Sequence, residues 1–239
     1  MDDYRYVGDE LALFAHAHNW KHYWGLQLAP FVSGDVLEVG AGIGSNTIAL
    51  RHLSLGRWLC LEPDGQLLSV LEERATIGSS APVEVICGTV DLLAKDELFD
   101  TALYIDVLEH IADDVAELGA VAKHIRCRGH IIVLSPAHQL LYSPFDRVIG
   151  HQRRYDRALL RRCTPSGGQL IMMRYLDSVG YFLSLANRIV LHQASPTLKQ
   201  ILFWDRCILP LSQWIDPWLG YRFGKSILGV WQVNGEPRI

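Results

Sequence analysis

The chain has 239 residues, of which 49% are apolar and 20% are charged, and its formal net charge is −4. This composition predicts a globular protein with a sizeable core, and the weakly acidic balance gives no overall field that would collect nucleic acid. The acidic N-terminus has no apolar signal region and no segment is apolar over the length of a bilayer, so we expect a cytoplasmic protein with no transmembrane segment and no nucleic-acid partner.

The first predicted element is a leading helix. Residues 9–30, with the sequence DELALFAHAHNWKHYWGLQLAP, carry apolar side chains at helical spacing and end at a proline. We expect this segment to pack as a helix or a lid in front of the first strand.

Between about Gly34 and Pro136, short β-rich runs alternate with helical patterns. The predicted strands are VLEVG, WLCLE, VEVIC, FDTALYID and HIIVLS, and the predicted helices are SNTIALRHL, QLLSVLEERA and DVAELGAVAKHI. Repeated strand-then-helix units are typical of right-handed βαβ connections and of a parallel sheet covered on both faces. The sequence therefore predicts a doubly wound α/β core.

Beyond Pro136 the pattern continues without a linker or a repeat. QLIMMRYLDSVG predicts a strand and a turn, YFLSLANRIVLHQ and TLKQILFWDRCILPLSQWID predict apolar helices, and KSILGVWQV predicts a final strand. We therefore expect one domain over residues 1–239. Its parts are an N-terminal lid (1–33), a core (34–136), and a third part (137–239) with a loop, a helical insertion and the closing strand.

A glycine-rich turn follows the first predicted strand. Gly40, Gly42 and Gly44 let the backbone approach a ligand closely and allow the next helix to point its N-terminus at that ligand. The dinucleotide fingerprint G-x-G-x-x-G needs a third glycine where this chain has Ser45. The turn alone thus predicts a nucleotide-like ligand without naming it.

Two acidic residues narrow the choice of ligand for this turn. Glu38 lies in the strand just before the turn, where a carboxylate suits an ammonium group and would repel a pyrophosphate. Glu62 ends the second strand and can accept hydrogen bonds from both ribose hydroxyls. A ribose joined to a cationic amino acid describes S-adenosylmethionine, and an NAD-dependent oxidoreductase is disfavoured.

Taken together, four motifs resemble the Rossmann-like (class I) S-adenosylmethionine-dependent methyltransferases, over nearly the whole chain. VLEVGAGIGSNT resembles the first motif, LCLEPD the ribose motif, VICGTVDLL the adenine loop and FDTALYIDVLEHIADD the fourth-strand motif. GHIIVLSPAHQLLYSPFDRVIGHQRRYDR is similar to the fifth strand and following loop of a bacterial subgroup. The resemblance implies a seven-stranded, mostly parallel sheet, with S-adenosylmethionine as cofactor and S-adenosylhomocysteine as product.

The resemblance also implies cofactor contacts. The three glycines would line the methionine portion, Glu38 would meet its ammonium group and Glu62 would hold the ribose. Thr89 stands where many relatives have an aspartate, so Thr89, Asp91 or backbone groups would meet the adenine amine. The remaining implied contacts are Asn46, Pro63, Val90, Ile105, Asp106, Val107 and Trp20.

Methyl transfer from a sulfonium needs orientation, desolvation and, for a hydroxyl acceptor, a base. Candidates should follow the fourth and fifth strands, where ligands of open α/β sheets bind. Asp106 and His110 satisfy this on one side and His151 on the other, and imidazole titrates near neutral pH. His151 is the preferred base, with His110 as its competitor. Residues expected to contact the acceptor are Tyr23, His138, Tyr142, Phe145, Arg154 and Tyr155.

Each of these assignments has a structural alternative. Asp106 could cap the following helix, and His110 could be a packed residue that touches the cofactor without transferring a proton. The stretch GHQRRY could be a latch in which Arg153 or Arg154 pairs with acidic residues. The arginine-rich segment 147–162 could bind an acceptor carboxylate or phosphate, or form a solvated helix face.

No metal site is predicted. His18 and His22 are spaced like a pair of ligands on a helix, but they lack a third ligand and the glutamate of H-E-x-x-H. The cysteines lie at least 27 residues apart without a C-x-x-C pair, which predicts buried thiols in a reducing compartment. They are Cys60, Cys87, Cys127, Cys163 and Cys207.

The leading hypothesis is a small-molecule methyltransferase that modifies an oxygen or nitrogen of a partly apolar acceptor, as in natural-product metabolism. The aromatic-rich tail favours ordinary core, although such insertions can also build an acceptor pocket, a homodimer contact or a membrane-facing surface. Its aromatic residues are Phe203, Trp204, Trp214, Trp218, Tyr221, Phe223 and Trp231. A cofactor-binding partner or sensor without transfer activity, and a C-methyltransferase, remain the alternatives.

Overall fold

The centre of the molecule is a seven-stranded sheet. The computed structural model describes residues 10–76, 83–190 and 197–234. The strand order is β3-β2-β1-β4-β5-β7-β6, and β7 alone runs antiparallel to the other strands. The strands are β1 (Val36–Val39), β2 (Trp58–Glu62), β3 (Val83–Cys87), β4 (Phe99–Ile105), β5 (Ile125–Pro136), β6 (Gly168–Leu176) and β7 (Ser226–Val233). The predicted mostly parallel, seven-stranded α/β sheet is confirmed.

Helices fill the connections between the strands. They are α1 (Glu10–Ala15), α2 (His18–Leu28), α3 (Ser45–Leu50), α4 (Leu68–Thr76), α5 (Asp114–Val121), α6 (Pro144–Val148), α7 (Arg157–Arg162), α8 (Ser178–Val190), α9 (Leu198–Phe203) and α10 (Leu209–Trp218). A π-helical turn at Trp204–Ile208 joins α9 to α10. Helices α8 to α10 form the predicted insertion before the last strand.

The sheet is covered on both faces, because alternate residues of each strand enter two different apolar clusters. Val36 of β1 packs with Trp58 of β2 in one cluster, and the next pair in register, Leu37 and Leu59, packs in the other. Trp24 of the leading segment packs in the same cluster as Val36 and Trp58, and its side chain is almost fully buried. This two-sided burial is the physical basis of the doubly wound fold.

The predicted leading helix differs in one respect from the observed segment. Two helices, α1 and α2, replace the single helix, because the chain leaves helical geometry at Ala17 (φ −81°, ψ 72°). Residues 1–9 of the predicted lid lie outside the described residues, as do the last residues of the predicted helix YFLSLANRIVLHQ. Among the described residues, no helix has the length and apolar character needed to cross a membrane.

Two expectations about burial are wrong in part. Cys60 and Cys163 are buried free thiols as expected, but Cys87, Cys127 and Cys207 are exposed. In the aromatic tail, Trp231 belongs to the core, whereas Phe203, Trp214 and Trp218 are exposed by 60%, 69% and 80%. Helical spacing puts Trp214 and Trp218 on the same face of α10, but it does not show whether that face meets the sheet.

Candidate functional site

A large cavity lies beyond the carboxyl ends of β1, β2, β4 and β5. Its volume is about 1680 Å³. Leu11, Phe14 and Trp20 of α1 and α2 line one wall, and Ile201 and Phe203 of the insertion line another. The site therefore lies where ligands of open α/β sheets bind, between the leading helices and the insertion.

The glycine turn forms part of the cavity floor. Gly40 and Gly42 adopt φ values of +66° and +57°, which L side chains rarely adopt, and both line the cavity. A Cβ atom on Gly40 would lie 2.6 Å from Cγ2 of Val107. The backbone can follow this path only because these positions carry no side chain.

Glu62 links the second strand to the glycine turn. Its Oε2 accepts a 2.7 Å hydrogen bond from the Gly42 backbone N–H, and its Oε1 accepts one of 2.9 Å from Asp64 N–H. Burial raises the pKa of Glu62, while these two backbone donors counteract the rise. Each carboxylate oxygen has a second lone pair, so the group can still accept hydrogen bonds from a ligand in the cavity.

Glu38 does not line the cavity. Its carboxylate is buried, and its Oε2 accepts a 2.9 Å hydrogen bond from Trp58 Nε1. Burial raises the pKa of Glu38 to about 7, although donors such as Trp58 and Thr47 oppose the rise. The structure thus places this carboxylate behind the glycine turn, where it ties β1 to β2 and α3.

The opposite end of the cavity holds a cluster of ionisable side chains. Asp106 follows β4 with φ +56°, and the turn after it presents Glu109 and His110. His151 joins them from the loop after α6, with its ring centroid 4.6 Å from that of His110 in a T-shaped arrangement. Backbone N–H of Gln152 donates to the carbonyl of Glu109 at 2.9 Å, which fixes the two loops together.

Burial sets the charge preferences in this cluster. Although Asp106 reaches the cavity, the surrounding protein desolvates it and raises its pKa to about 6, against the lowering effect of His151 and Lys21. Burial lowers the pKa of His110 to about 4, which keeps its imidazole neutral at physiological pH. Burial also raises the pKa of the fully buried Glu109 carboxyl, and the nearby charge of Asp106 adds to this rise.

Asp146 orients His151. Its Oδ1 lies 2.9 Å from His151 Nδ1, and its two oxygens accept hydrogen bonds of 2.8 and 3.0 Å from Arg154. Burial alone would raise the pKa of Asp146, but the His151 and Arg154 hydrogen bonds outweigh it and hold the pKa well below its usual range. With Nδ1 engaged, Nε2 is the nitrogen of His151 that can act on a ligand.

The structure brings most of the predicted site residues to this cavity. The cavity-lining residues that were predicted as cofactor contacts are Gly40, Gly42, Asn46, Glu62, Pro63, Thr89, Ile105, Asp106, Val107 and Trp20, and those predicted for the acceptor or catalysis are Tyr142, Phe145, Arg154, His110 and His151. Asp91, the alternative adenine contact, also lines it. The assignments of these residues to cofactor or acceptor stay predictions.

Other predicted site residues, all within the described part of the chain, lie away from the cavity. Tyr155 is fully buried and donates a 2.8 Å hydrogen bond to Asp114, and buried Tyr23 donates one of 2.6 Å to Asp216. The His138 ring stacks on Tyr175 with centroids 4.6 Å apart. These three side chains have structural partners and are not retained as acceptor contacts. Glu38, Gly44 and Val90 likewise do not line the cavity.

Asp146 is not among the site residues predicted from the sequence, although the sequence contains a signal for it. Ser143 and Asp146 form a capping box at the start of α6, a pattern that is readable as S-x-x-D. The sequence also leaves open the role of GHQRRY, where Arg153 and Arg154 do form the latch, paired with Asp114 and Asp146. Asp106 does not cap α5, because the N-cap is Asp113.

Comparisons with known proteins agree with this fold. Residues 37–133 match the family described as a methyltransferase domain, and no curated protein sequence matches the chain significantly. The N-methyltransferase NodS from Bradyrhizobium japonicum WM9, in complex with S-adenosyl-L-homocysteine, is 13% identical with a TM-score of 0.58, over 93% of this chain and 88% of that chain.

Two further solved structures have similar folds. An S-adenosylmethionine-dependent methyltransferase from Clostridium acetobutylicum ATCC 824 is 12% identical with a TM-score of 0.57, over 95% of this chain and 96% of that chain. The [4+2]-cyclase SpnF is 13% identical with a TM-score of 0.63, over 92% of this chain and 81% of that chain. At these identities the likeness concerns the fold. Together with the sheet order and the glycine turn, the methyltransferase domain matched over residues 37–133 agrees with the expected resemblance to Rossmann-like, class I S-adenosylmethionine-dependent methyltransferases.

Proposed function

We propose that the protein transfers a methyl group from S-adenosylmethionine to an oxygen or nitrogen of a small, partly apolar acceptor. The observation that carries this proposal is the single cavity that joins the glycine turn and Glu62 at one end to the Asp106, His110 and His151 cluster at the other. A cofactor at the first end would present its sulfonium toward the second.

The cofactor end has the donors and acceptors that S-adenosylmethionine requires. We assign the methionine portion to the turn around Gly40 and Gly42, the ribose to Glu62, and the adenine to the region of Thr89 and Asp91, all of which line the cavity. The S-adenosyl-L-homocysteine bound to the similar NodS structure supports this choice of ligand. Trp20 would cover the cofactor from α2 and exclude water from the transfer step.

The acceptor end is mixed in character. Leu183, Ile201 and Phe203 supply apolar surface from the insertion, while Lys21, Lys225 and Arg154 bring positive charge to the same cavity. An acceptor with an apolar body and a polar end fits this lining. The natural-product role expected from the sequence remains part of this proposal.

His151 is the residue that we assign to activate the acceptor. Its Nδ1 is held by Asp146, so that Nε2 faces Glu109 and the cavity. His110 and Asp106 are the further members of the activating cluster. An imidazole Nε2 in this position can act on the acceptor directly or through a bound cation.

The test is a transfer assay with methyl-labelled S-adenosylmethionine and fractionated small-molecule extract. Wild-type protein should move label into an organic product. His151→Ala should lose at least tenfold in rate while S-adenosylhomocysteine affinity stays unchanged, since general acid–base groups contribute roughly 10²–10⁴-fold. His52→Ala changes an exposed histidine far from the cavity and serves as the matched control.

Three results would contradict the proposal in whole or in part. Cofactor binding without label transfer to any fraction would favour a cofactor-binding partner or sensor. Unchanged turnover in His151→Ala would remove His151 from the activating role. A labelled methyl group bonded to a carbon atom of the acceptor would instead identify a C-methyltransferase.

A further inference from the structure

Glu109 is in an unusual situation for a carboxylate. Its side chain has no exposed surface, and neither Oε1 nor Oε2 makes a hydrogen bond with a described residue. The nearby Ser135 hydroxyl lowers the carboxyl pKa against the effect of burial, but it too has no hydrogen-bond partner among the residues that the structure describes. A buried carboxylate is costly unless a cation or hydrogen-bond donors compensate its charge, so a carboxyl in this position either stays protonated or binds a cation.

Two imidazoles lie next to this carboxylate. Glu109 Oε1 is 3.7 Å from His151 Nε2. One ligand atom each from Glu109, His110 and His151 lies within 4.8 Å of the others, and all three residues line the cavity. Two imidazoles and one carboxylate, with an open side toward a cavity, are a donor set typical of divalent transition metals.

Two carboxylates near these imidazoles favour a cation, although Lys21 and Lys225 also line the cavity. Asp146 engages Nδ1 of His151, the arrangement in which a carboxylate orients a metal-binding imidazole and leaves Nε2 to the ion. Arg154 lines the same cavity, but Asp146 already binds its guanidinium with two hydrogen bonds. Asp106, which faces the same cavity, adds a second carboxylate.

We infer that Glu109, His110 and His151 form a binding site for one divalent transition-metal ion, with its open positions toward the acceptor end of the cavity. The site stands on these three side chains alone. Its role, to hold and orient an acceptor oxygen or nitrogen opposite the sulfonium, rests on the function proposed above. Nitrogen-rich donors of this kind favour Zn²⁺ over Mg²⁺ or Ca²⁺.

The test is calorimetric titration of chelator-treated full-length protein with Zn²⁺, and with Mg²⁺ in parallel. We expect one Zn²⁺ per chain, weaker Mg²⁺ binding, and a loss of at least tenfold in Zn²⁺ affinity in Glu109→Gln. Should Glu109→Gln fail to fold, His110→Asn replaces it. Substitution with Co²⁺ adds a visible spectrum that reports imidazole and carboxylate coordination without any contribution from activity.

A matched control separates this site from adventitious binding. His18 and His22 are exposed on α2, one helical turn apart, and could bind Zn²⁺ by themselves. The double variant His18→Ala/His22→Ala should keep the one-site binding. Loss of binding in the double variant with retention in Glu109→Gln, or no Zn²⁺ binding at all, would overturn the inference.

The same proteins separate this inference from the proposed function. S-adenosylhomocysteine should bind both metal-free wild type and Glu109→Gln, because the glycine turn lies at the other end of the cavity. Absence of cofactor binding in wild type would reject the proposed function, whereas cofactor binding without Zn²⁺ binding would reject only the metal site.

Discussion

Glu62 Oε2 accepts the backbone N–H of Gly42 at 2.7 Å, so the acidic end of β2 directly holds the glycine turn that follows β1. The sequence suggests a ribose contact for Glu62, and the structure adds this second role. One carboxylate therefore both shapes the cavity floor and remains available to a ligand.

Replacement of Glu62 should weaken cofactor binding. In Glu62→Gln the amide can accept through only one of its two terminal atoms, so a backbone donor at Gly42 or Asp64 loses its partner. Because hydrogen bonds to charged groups contribute roughly 1.5–3 kcal/mol, we expect S-adenosylhomocysteine to bind about 10- to 100-fold more weakly. Calorimetric titration measures this. Glu72→Gln, on the exposed side of α4, should bind as wild type does.

Gly40 should not tolerate a side chain. Its φ of +66° and the 2.6 Å approach of a Cβ to Val107 predict that Gly40→Ala lowers the free energy of unfolding by about 2 kcal/mol or more. Gly119 lies in α5 with nothing within 4 Å of a built Cβ. Gly119→Ala should raise stability by roughly 0.5–1 kcal/mol. Urea unfolding compares the two, and equal stability of Gly40→Ala and wild type would contradict the strain at this turn.

Tyr155 should act on stability and not on binding. Tyr155→Phe removes the hydroxyl that donates a 2.8 Å hydrogen bond to Asp114. The Arg153 guanidinium still contacts that carboxylate at 2.7 Å. We expect a loss of about 1 kcal/mol in the free energy of unfolding, with cofactor affinity and the KM for acceptor unchanged. A raised KM at wild-type stability would restore Tyr155 to the acceptor site.

Glu38 should make stability fall as pH rises. Its pKa is near 7 in the folded protein and 4.5 as the ordinary value, so the folded state binds this proton more tightly than the unfolded state does. Protonation of Glu38 therefore stabilises the folded state, and this contribution is complete below about pH 4.5. As the pH rises through 7, the free energy of unfolding decreases by up to roughly 3 kcal/mol. Glu38→Gln keeps an acceptor for Trp58 and removes this pH dependence. Unfolding free energies at several pH values measure the difference, and parallel curves for the two proteins would refute the assignment.

The strands could be predicted because buried parallel strands have short, nearly continuous apolar runs. WLCLE coincides residue for residue with β2, which is fully buried, and VEVIC coincides in the same way with β3, although β3 is an edge strand with no buried residue. The glycine turn and Glu62 could also be predicted from the sequence. The spacing of the glycines, and the position of both features at the ends of predicted strands, indicate a ligand-binding site.

The acceptor end was less predictable for a physical reason. Its cluster depends on contacts between segments about 40 residues apart, such as the backbone hydrogen bond between Gln152 and Glu109. The sequence pattern of polar aromatic residues in a loop is the same whether their side chains face a cavity or the core. His138 and Tyr155 therefore resembled acceptor contacts, although they pack against Tyr175 and Asp114.

The central claim is that the cavity at the glycine turn binds S-adenosylmethionine. Calorimetric titration of ligand-free protein with S-adenosylmethionine, S-adenosylhomocysteine and NADH in parallel tests it most directly. We predict one-site binding of both sulfur ligands, no binding of NADH, and loss of binding in Gly42→Leu, where φ is +57° and a Cβ would contact Leu11 at 3.5 Å. Binding of NADH alone, or undiminished binding of the sulfur ligands by Gly42→Leu, would contradict this account of the cavity.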